Sequence, residues 1–285
     1  MKNTALLLAL FLSLGFYACQ DKSPEPDNSP HLIFKFKFDP NQERLNELGN
    51  PATPPAGNAG QSPTFNAIAA HYFELSPTEF TQLGQGNVLY HAPETQVGGS
   101  TAIDFDQSIV KGENEIYLSI PLKDISPKTY EYLRISLAYQ NYDISFRFSG
   151  VDYQGTIASF IGYNTYIRDV QIKNSQITLN ENRSQGYWAF ETINGVLQGQ
   201  APGTTVPNPI AATSPIPAGS CVVTAKFDTP LIITGNETQD MIITASLSTN
   251  KSFEWKDNNG NGYFEPALDE MVVDMGIRGM KILVE

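Results

Sequence analysis

Two groups of residues have the types and spacing that could do chemistry, and both point to metal ions. The first is the stretch Asp257 to Glu270, DNNGNGYFEPALDE. Asp257, Asn259 and Asn261 carry side-chain oxygens at alternate positions, and Gly262 follows. That spacing lets three oxygens converge on one hard cation while the glycine permits a tight turn and Tyr263 offers its backbone carbonyl. An EF-hand would have Glu at the twelfth position, but Leu268 stands there, with Asp269 and Glu270 just beyond. The flank Phe253-Glu254-Trp255 reads as strand, not helix. The expected cofactor is a structural calcium in a loop between strands. Its candidate ligands are Asp257, Asn259, Asn261, Tyr263, Glu265, Asp269 and Glu270. The competing reading is a polar Asn-Gly turn that holds no ion.

The second group is histidine. The chain has three, His31, His71 and His91. On a strand, His71 and Phe73 share one face and Tyr72 and Glu74 the other, so a His71–Glu74 metal pair would need a bulge. His71 and His91 can meet across neighbouring strands. The alternative is two unrelated hydrogen-bonded histidines.

Catalytic motifs are missing. There is no G-x-S-x-G, H-E-x-x-H, phosphate-binding G-x-x-x-x-G-K-[ST] or dinucleotide fingerprint, and no histidine follows residue 91. A carboxylate pair of the glycosidase kind is set by the fold, so sequence does not decide it. A non-catalytic binding protein is the expectation, with an uncharacterised hydrolase the least supported reading. Tyr and Trp are dense from Tyr130 to Phe190. They could form a platform for glycans, or fill a large core.

The elements that position these residues read as strands. Leu32, Phe34, Phe36 and Phe38 line one face of a period-two run, with Lys35 and Lys37 on the other. Further runs are Ile68–Leu75, Asn87–Ala92, Glu115–Ile120, Tyr132–Tyr139, Asp143–Phe148, Tyr166–Ile172, Gln176–Leu179, Tyr187–Glu191, Cys221–Phe227, Met241–Leu247 and Met280–Val284. The polar stretch Tyr139 to Asp143 reads as a hairpin. Gln42–Leu48 and Pro77–Leu83 could each form a short helix, the second opened by a Ser76/Glu79 capping box. Gly49–Asn66 and Gly195–Ser220 are long, Pro- and Gly-rich connections. The expected fold is all-β: a large antiparallel β-sandwich over residues 31–285, with long loops and one or two short helices. Residues 221–285 could form a small separate unit, but without a disulfide its core would be thin.

The N-terminus gives an address. Lys2 precedes the apolar run Ala5–Phe16, which is too short to span a bilayer, and Ala18-Cys19 closes it. This is the pattern of a lipoprotein signal, with residues 1–18 removed and Cys19 lipidated. Several acyl chains anchor firmly, at ~0.8 kcal/mol per buried methylene. The alternative is an ordinary signal peptide. Residues 19–30 are rich in Pro, Ser and acidic groups and form a flexible tether. The expected location is the outer membrane, on the cell surface or its periplasmic face. The net charge is −12 at pH 7, and loss of Lys2 makes the mature chain more negative still. Such a chain is a poor partner for nucleic acid or anionic lipid. Of the two cysteines, lipid on Cys19 would leave Cys221 without a partner, as a buried structural thiol.

Three segments carry a family resemblance: LIFKFKFD (Leu32–Asp39), IAAHYFEL (Ile68–Leu75) and GYWAFE (Gly186–Glu191). Together they resemble lipoproteins with the domain of the methanobactin-associated copper-binding protein (MbnP-like domains). The resemblance implies a β-rich exported domain. In the copper-binding members metal is held by histidines together with an oxidised tryptophan. It therefore implies copper, with Trp188, His71 and His91 as the candidate residues. The remaining alternative is a surface module that binds glycan or protein.

Overall fold

The computed structural model describes residues 29–46, 49–201 and 220–285. Cys19, the signal segment and most of the tether lie outside the described residues. In chain order the strands are β1 (His31–Asp39), β2 (Asn58–Gln61), β3 (Thr64–Ser76), β4 (Asn87–His91), β5 (Glu94–Thr95), β6 (Ala102–Asp104) and β7 (Val110–Lys111). Next come β8 (Ile116–Pro121), β9 (Lys128–Phe148), β10 (Val151–Phe160), β11 (Asn164–Gln171), β12 (Gln176–Ser184) and β13 (Tyr187–Thr192). The last are β14 (Gly195–Gln200), β15 (Cys221–Ile233), β16 (Met241–Ser248), β17 (Phe253–Lys256), β18 (Val272–Asp274) and β19 (Met280–Val284). The fold is an all-β sandwich.

β9 is its spine. β3 runs antiparallel along one edge of β9. The other edge is shared: β15 pairs with its first half and β10 with its second. The large sheet continues through β13 and β14 on one side and β4 on the other. Facing it is a four-stranded sheet ordered β19-β16-β1-β8. Leu32, Phe34 and Phe36 of β1 point inward onto Phe73, Leu133, Ile135 and Phe227. Each such side chain stabilises the fold by roughly 1.5–3 kcal/mol. A second layer, β12-β11-β6-β5, packs on the opposite face through Tyr139, Phe160, Ile167 and Val170. A third small sheet, β18-β17-β2, packs Phe253 and Trp255 of β17 against Tyr142 of β9 and its neighbours. Two pairings are parallel, β1 with β16 and β6 with β11. Because β15, β16 and β17 pair with β9, β1 and β2, residues 221–285 share sheets with the first half of the chain.

Three expectations are corrected. The hairpin at Tyr139–Asp143 does not form, and β9 runs straight through it. Its polar centre is buried, with side-chain amides donating inward: Gln140 to the Met275 carbonyl, and Asn141 to the Ile172 carbonyl at 2.8 Å. A polar pair with partners inside the protein is no turn signal. The helix at Pro77–Leu83 is replaced by bends and turns, within which the Thr81 hydroxyl accepts the Thr78 amide at 3.3 Å. The helix at Gln42–Leu48 is likewise absent over Gln42–Asn46, and Glu47 and Leu48 lie outside the described residues. Gln42 is held instead by Ser246, through its side-chain oxygen at 2.8 Å. The described helical turns are three 3-10 turns at Phe105–Gln107, Leu122–Asp124 and Pro266–Leu268.

Candidate metal centre

His71 sits at a bulge. Along β3, Ala70 pairs with Leu137 and Tyr72 with Ser136, so His71 has no counterpart on β9. The extra residue re-aims its own side chain. On the other edge Tyr72 lies opposite His91, and the Ala92 amide donates to the His71 carbonyl at 2.7 Å. The two imidazoles meet, with ring centroids 4.6 Å apart. Pro93 then turns the chain into β5, where Glu94 pairs with Ile103. The centre therefore lies where the large sheet meets the β5–β6–β11–β12 layer.

A ring nitrogen of His71, one of His91 and an oxygen of Glu94 all lie within 4.8 Å of one another. Glu94 Oε1 is 3.0 Å from His71 Nε2 and 3.8 Å from His91 Nε2. The Tyr163 hydroxyl donates to the same oxygen at 2.9 Å. Ligands at about 2.1 Å around a tetrahedral metal stand about 3.4 Å apart, so these separations suit a small cation. His71 is fully buried, whereas His91 and Glu94 reach solvent. The centre has a protected floor and an open approach. The buried Nδ1 of His71 has no hydrogen-bond partner, an arrangement that costs free energy when the group has nothing else to bind.

Burial, reinforced by the charge of His91, pushes the His71 pKa down to about 4. His71 is therefore neutral at neutral pH, the form a metal needs. Burial and Glu94 push the Tyr163 hydroxyl well above the ordinary tyrosine range. The His71 shift carries a prediction. In the unfolded chain the imidazole takes up its proton near pH 6.5, but in the folded chain only near pH 4. The unfolded state binds more protons between those values, so stability is complete above about pH 6.5 and is lost as pH falls towards 4. The span is worth roughly 3 kcal/mol. Urea unfolding with a chelator present, at pH 7 and pH 4.5, should show this loss in the wild type and a smaller one in His71→Gln.

The other predicted residues fall elsewhere. Glu74 does not join His71: its buried carboxylate accepts the Gly84 and Gly86 amides and lies 3.7 Å from Arg134. Trp188 is on β13, opposite Ser159 and Gly199, with its indole against Gly199. β10 and β9 separate it from β3; three strand spacings come to about 14 Å. Trp188 is not brought to the histidines.

The Asp257 loop is compact. The Asp257 carboxylate accepts the amides of Gly260 at 2.8 Å, Asn261 at 3.2 Å and Gly262 at 2.9 Å. Asn259 Oδ1 accepts the Asn261 amide, and Asn261 Oδ1 the Tyr263 amide. Glu265 receives the side-chain amides of Asn259 and Asn261 at 2.8 and 2.6 Å. The buried Glu270 ties both ends together, accepting the Asn258 and Glu265 amides. Asp269 adopts a left-handed conformation with φ 58° and contributes its carbonyl to Asn258. The Tyr263 ring lies under Arg147, 3.2 Å from the guanidinium carbon to the centroid.

Most of the aromatics between Tyr130 and Phe190 fill the core. Phe146 and Phe190 of the core, with Tyr153, also line a groove of about 570 Å³ together with Phe148, Ile193 and Leu197. The Cys221 thiol is turned into the core, and burial raises its pKa to about 12. Such a shift disfavours the thiolate, the nucleophilic form.

No family model matches the chain, and neither a curated protein nor a solved structure does. Glu94 escaped the sequence reading, although His91-Ala92-Pro93-Glu94 could have signalled it, because a proline turn can fold the carboxylate back onto the histidine. Tyr163 had no signal in the sequence.

Proposed function

We propose that the protein is a lipid-anchored, non-catalytic metal-binding protein of the bacterial envelope. The metal is a divalent transition ion, copper foremost, held by His71, His91 and Glu94. The observation that carries this reading is the convergence of two imidazoles and a carboxylate on one point at the end of an approach from solvent. Imidazole suits copper and zinc, and two of them with one carboxylate disfavour calcium or magnesium. The resemblance to MbnP-like domains belongs to this proposal, with Trp188 omitted from the ligand set. Cys19 supplies the anchor, and the acidic tether holds the domain away from the membrane.

Dialysis against Cu(II) followed by desalting should leave one equivalent of copper per chain. Retention of none would remove the reading. Growth in labelled palmitate, with Cys19→Ala as the control, should label the wild type alone.

A structural calcium in the Asp257 loop is the second part of the proposal. It is favoured by three carboxylates, Asp257, Glu265 and Glu270, gathered on one turn and accepting its amide N–H groups. A ligand that binds only the folded state at a hundred times its Kd stabilises by about 2.7 kcal/mol. Calcium should therefore raise the Tm by several degrees in the wild type and not in Asp257→Ala. Equal Tm values with calcium and with chelator would leave a plain polar turn.

A further inference from the structure

We infer that the Tyr163 oxygen is a fourth ligand of the His71–His91–Glu94 centre, making it a closed N2O2 site. This rests on the metal-binding reading above and adds a residue from a separate part of the fold. Tyr163 stands between β10 and β11, far in sequence from β3 and β4. Its hydroxyl is 2.9 Å from Glu94 Oε1, the same oxygen that His71 Nε2 approaches to 3.0 Å. Its ring lies 5.4 Å from the His71 ring, centroid to centroid. Two nitrogens and one hydroxyl oxygen thus converge on a single carboxylate oxygen. A cation placed among them needs only that the solvent-exposed Glu94 side chain draw back by about one metal–ligand bond, roughly 2 Å.

Tyr163 is held in place before any metal arrives. The amides of Ile161 and Gly162 both donate to the Ala138 carbonyl at 2.9 Å, which fixes the turn leading into Tyr163. A Cβ at Gly162 would come within 2.7 Å of Ile103 Cδ1, so this tight passage accepts no larger residue without a shift. Beyond Tyr163, β11 pairs with β6, which in turn pairs with the strand bearing Glu94. One short sheet therefore sets both oxygen ligands.

Coordination replaces the O–H bond of the phenol by an O–metal bond, and the released proton passes to solvent. No electron is transferred. Four protein ligands leave no open position for substrate, as expected of a site that stores or carries its ion. The oxygen pair also favours Cu(II) over Cu(I), since the softer ion prefers sulfur and imidazole.

The test is optical. Cu(II) added to the wild-type protein should give a visible phenolate-to-copper charge-transfer band, saturating at one equivalent. In Tyr163→Phe copper should still bind through the remaining three ligands, more weakly by roughly tenfold or more, and the band should be gone. Thermal unfolding without metal reports whether the phenylalanine variant keeps its fold. A band that persists in Tyr163→Phe, or wild-type copper binding without any such band, overturns the inference and leaves the three-ligand site standing. Failure of the wild type to bind copper overturns both.

Discussion

Replacing His91 with alanine should weaken copper binding by roughly a hundredfold or more while leaving the unfolding midpoint of the metal-free protein almost unchanged. The two effects separate because His91 is at the solvent-facing rim of the centre, its side chain 38% exposed. Losing it creates no cavity and strands no buried charge, and such surface changes stay within about 0.5 kcal/mol. A ligand contributes more: even residues that only orient ligands are worth ten- to a hundredfold in affinity. His71→Ala should weaken binding too, but it is a poorer probe, since His71 is fully buried and its ring lies against that of Tyr163. Competition of each protein against a chromogenic copper chelator measures the ratio. Equal affinities for wild type and His91→Ala would place the metal elsewhere.

Glu254→Ala should cost the fold about 3–5 kcal/mol, the range for breaking a buried ion pair from one side. Glu254 is in β17 at 3% exposure. It accepts from Arg44 on one oxygen and from Asn58 at 2.6 Å on the other, with Arg278 at 4.0 Å. Arg278 is also paired with Asp274. Two guanidiniums and two carboxylates thus form one buried cluster joining β17, β18 and the segment after β1. Alanine removes a carboxylate and leaves its cations in a place water reaches poorly. The cluster also ties the sheet carrying the Asp257 loop to the main body, so Glu254→Ala should lose any calcium stabilisation along with its own. Urea denaturation in chelator and in calcium checks both.

Strand alternation was the most legible feature of the chain. β1, β3, β4, β13, β16 and β19 all fall where period-two runs of apolar residues stand. What escaped were strands whose environment, not composition, makes them strands. β10 is broken by Asp152, Gln154 and Gly155, yet it pairs with β9 and β13. A side chain at Gly155 would run into the Phe190 ring, so that glycine marks a close approach within a sheet and not a turn. The clustering of His71, His91 and Glu94 was half legible. His71 and His91 on consecutive strands suggested a meeting, and the bulge that accomplishes it has no local signature. Glu94 is three residues from His91 in sequence, whereas Tyr163 arrives through the pairing of β6 with β11, a long-range contact that no spacing encodes. Trp188 shows the converse: a motif can suggest a role that the sheet order, with two strands intervening, does not support.

The most direct test is an anomalous difference map from crystals of the protein soaked in Cu(II), recorded at the copper edge. The account predicts one strong peak at about 2.0–2.2 Å from a ring nitrogen of His71, a ring nitrogen of His91 and a Glu94 oxygen. A strong peak at another place, or no peak beside these three residues in crystals that took up copper, would contradict it.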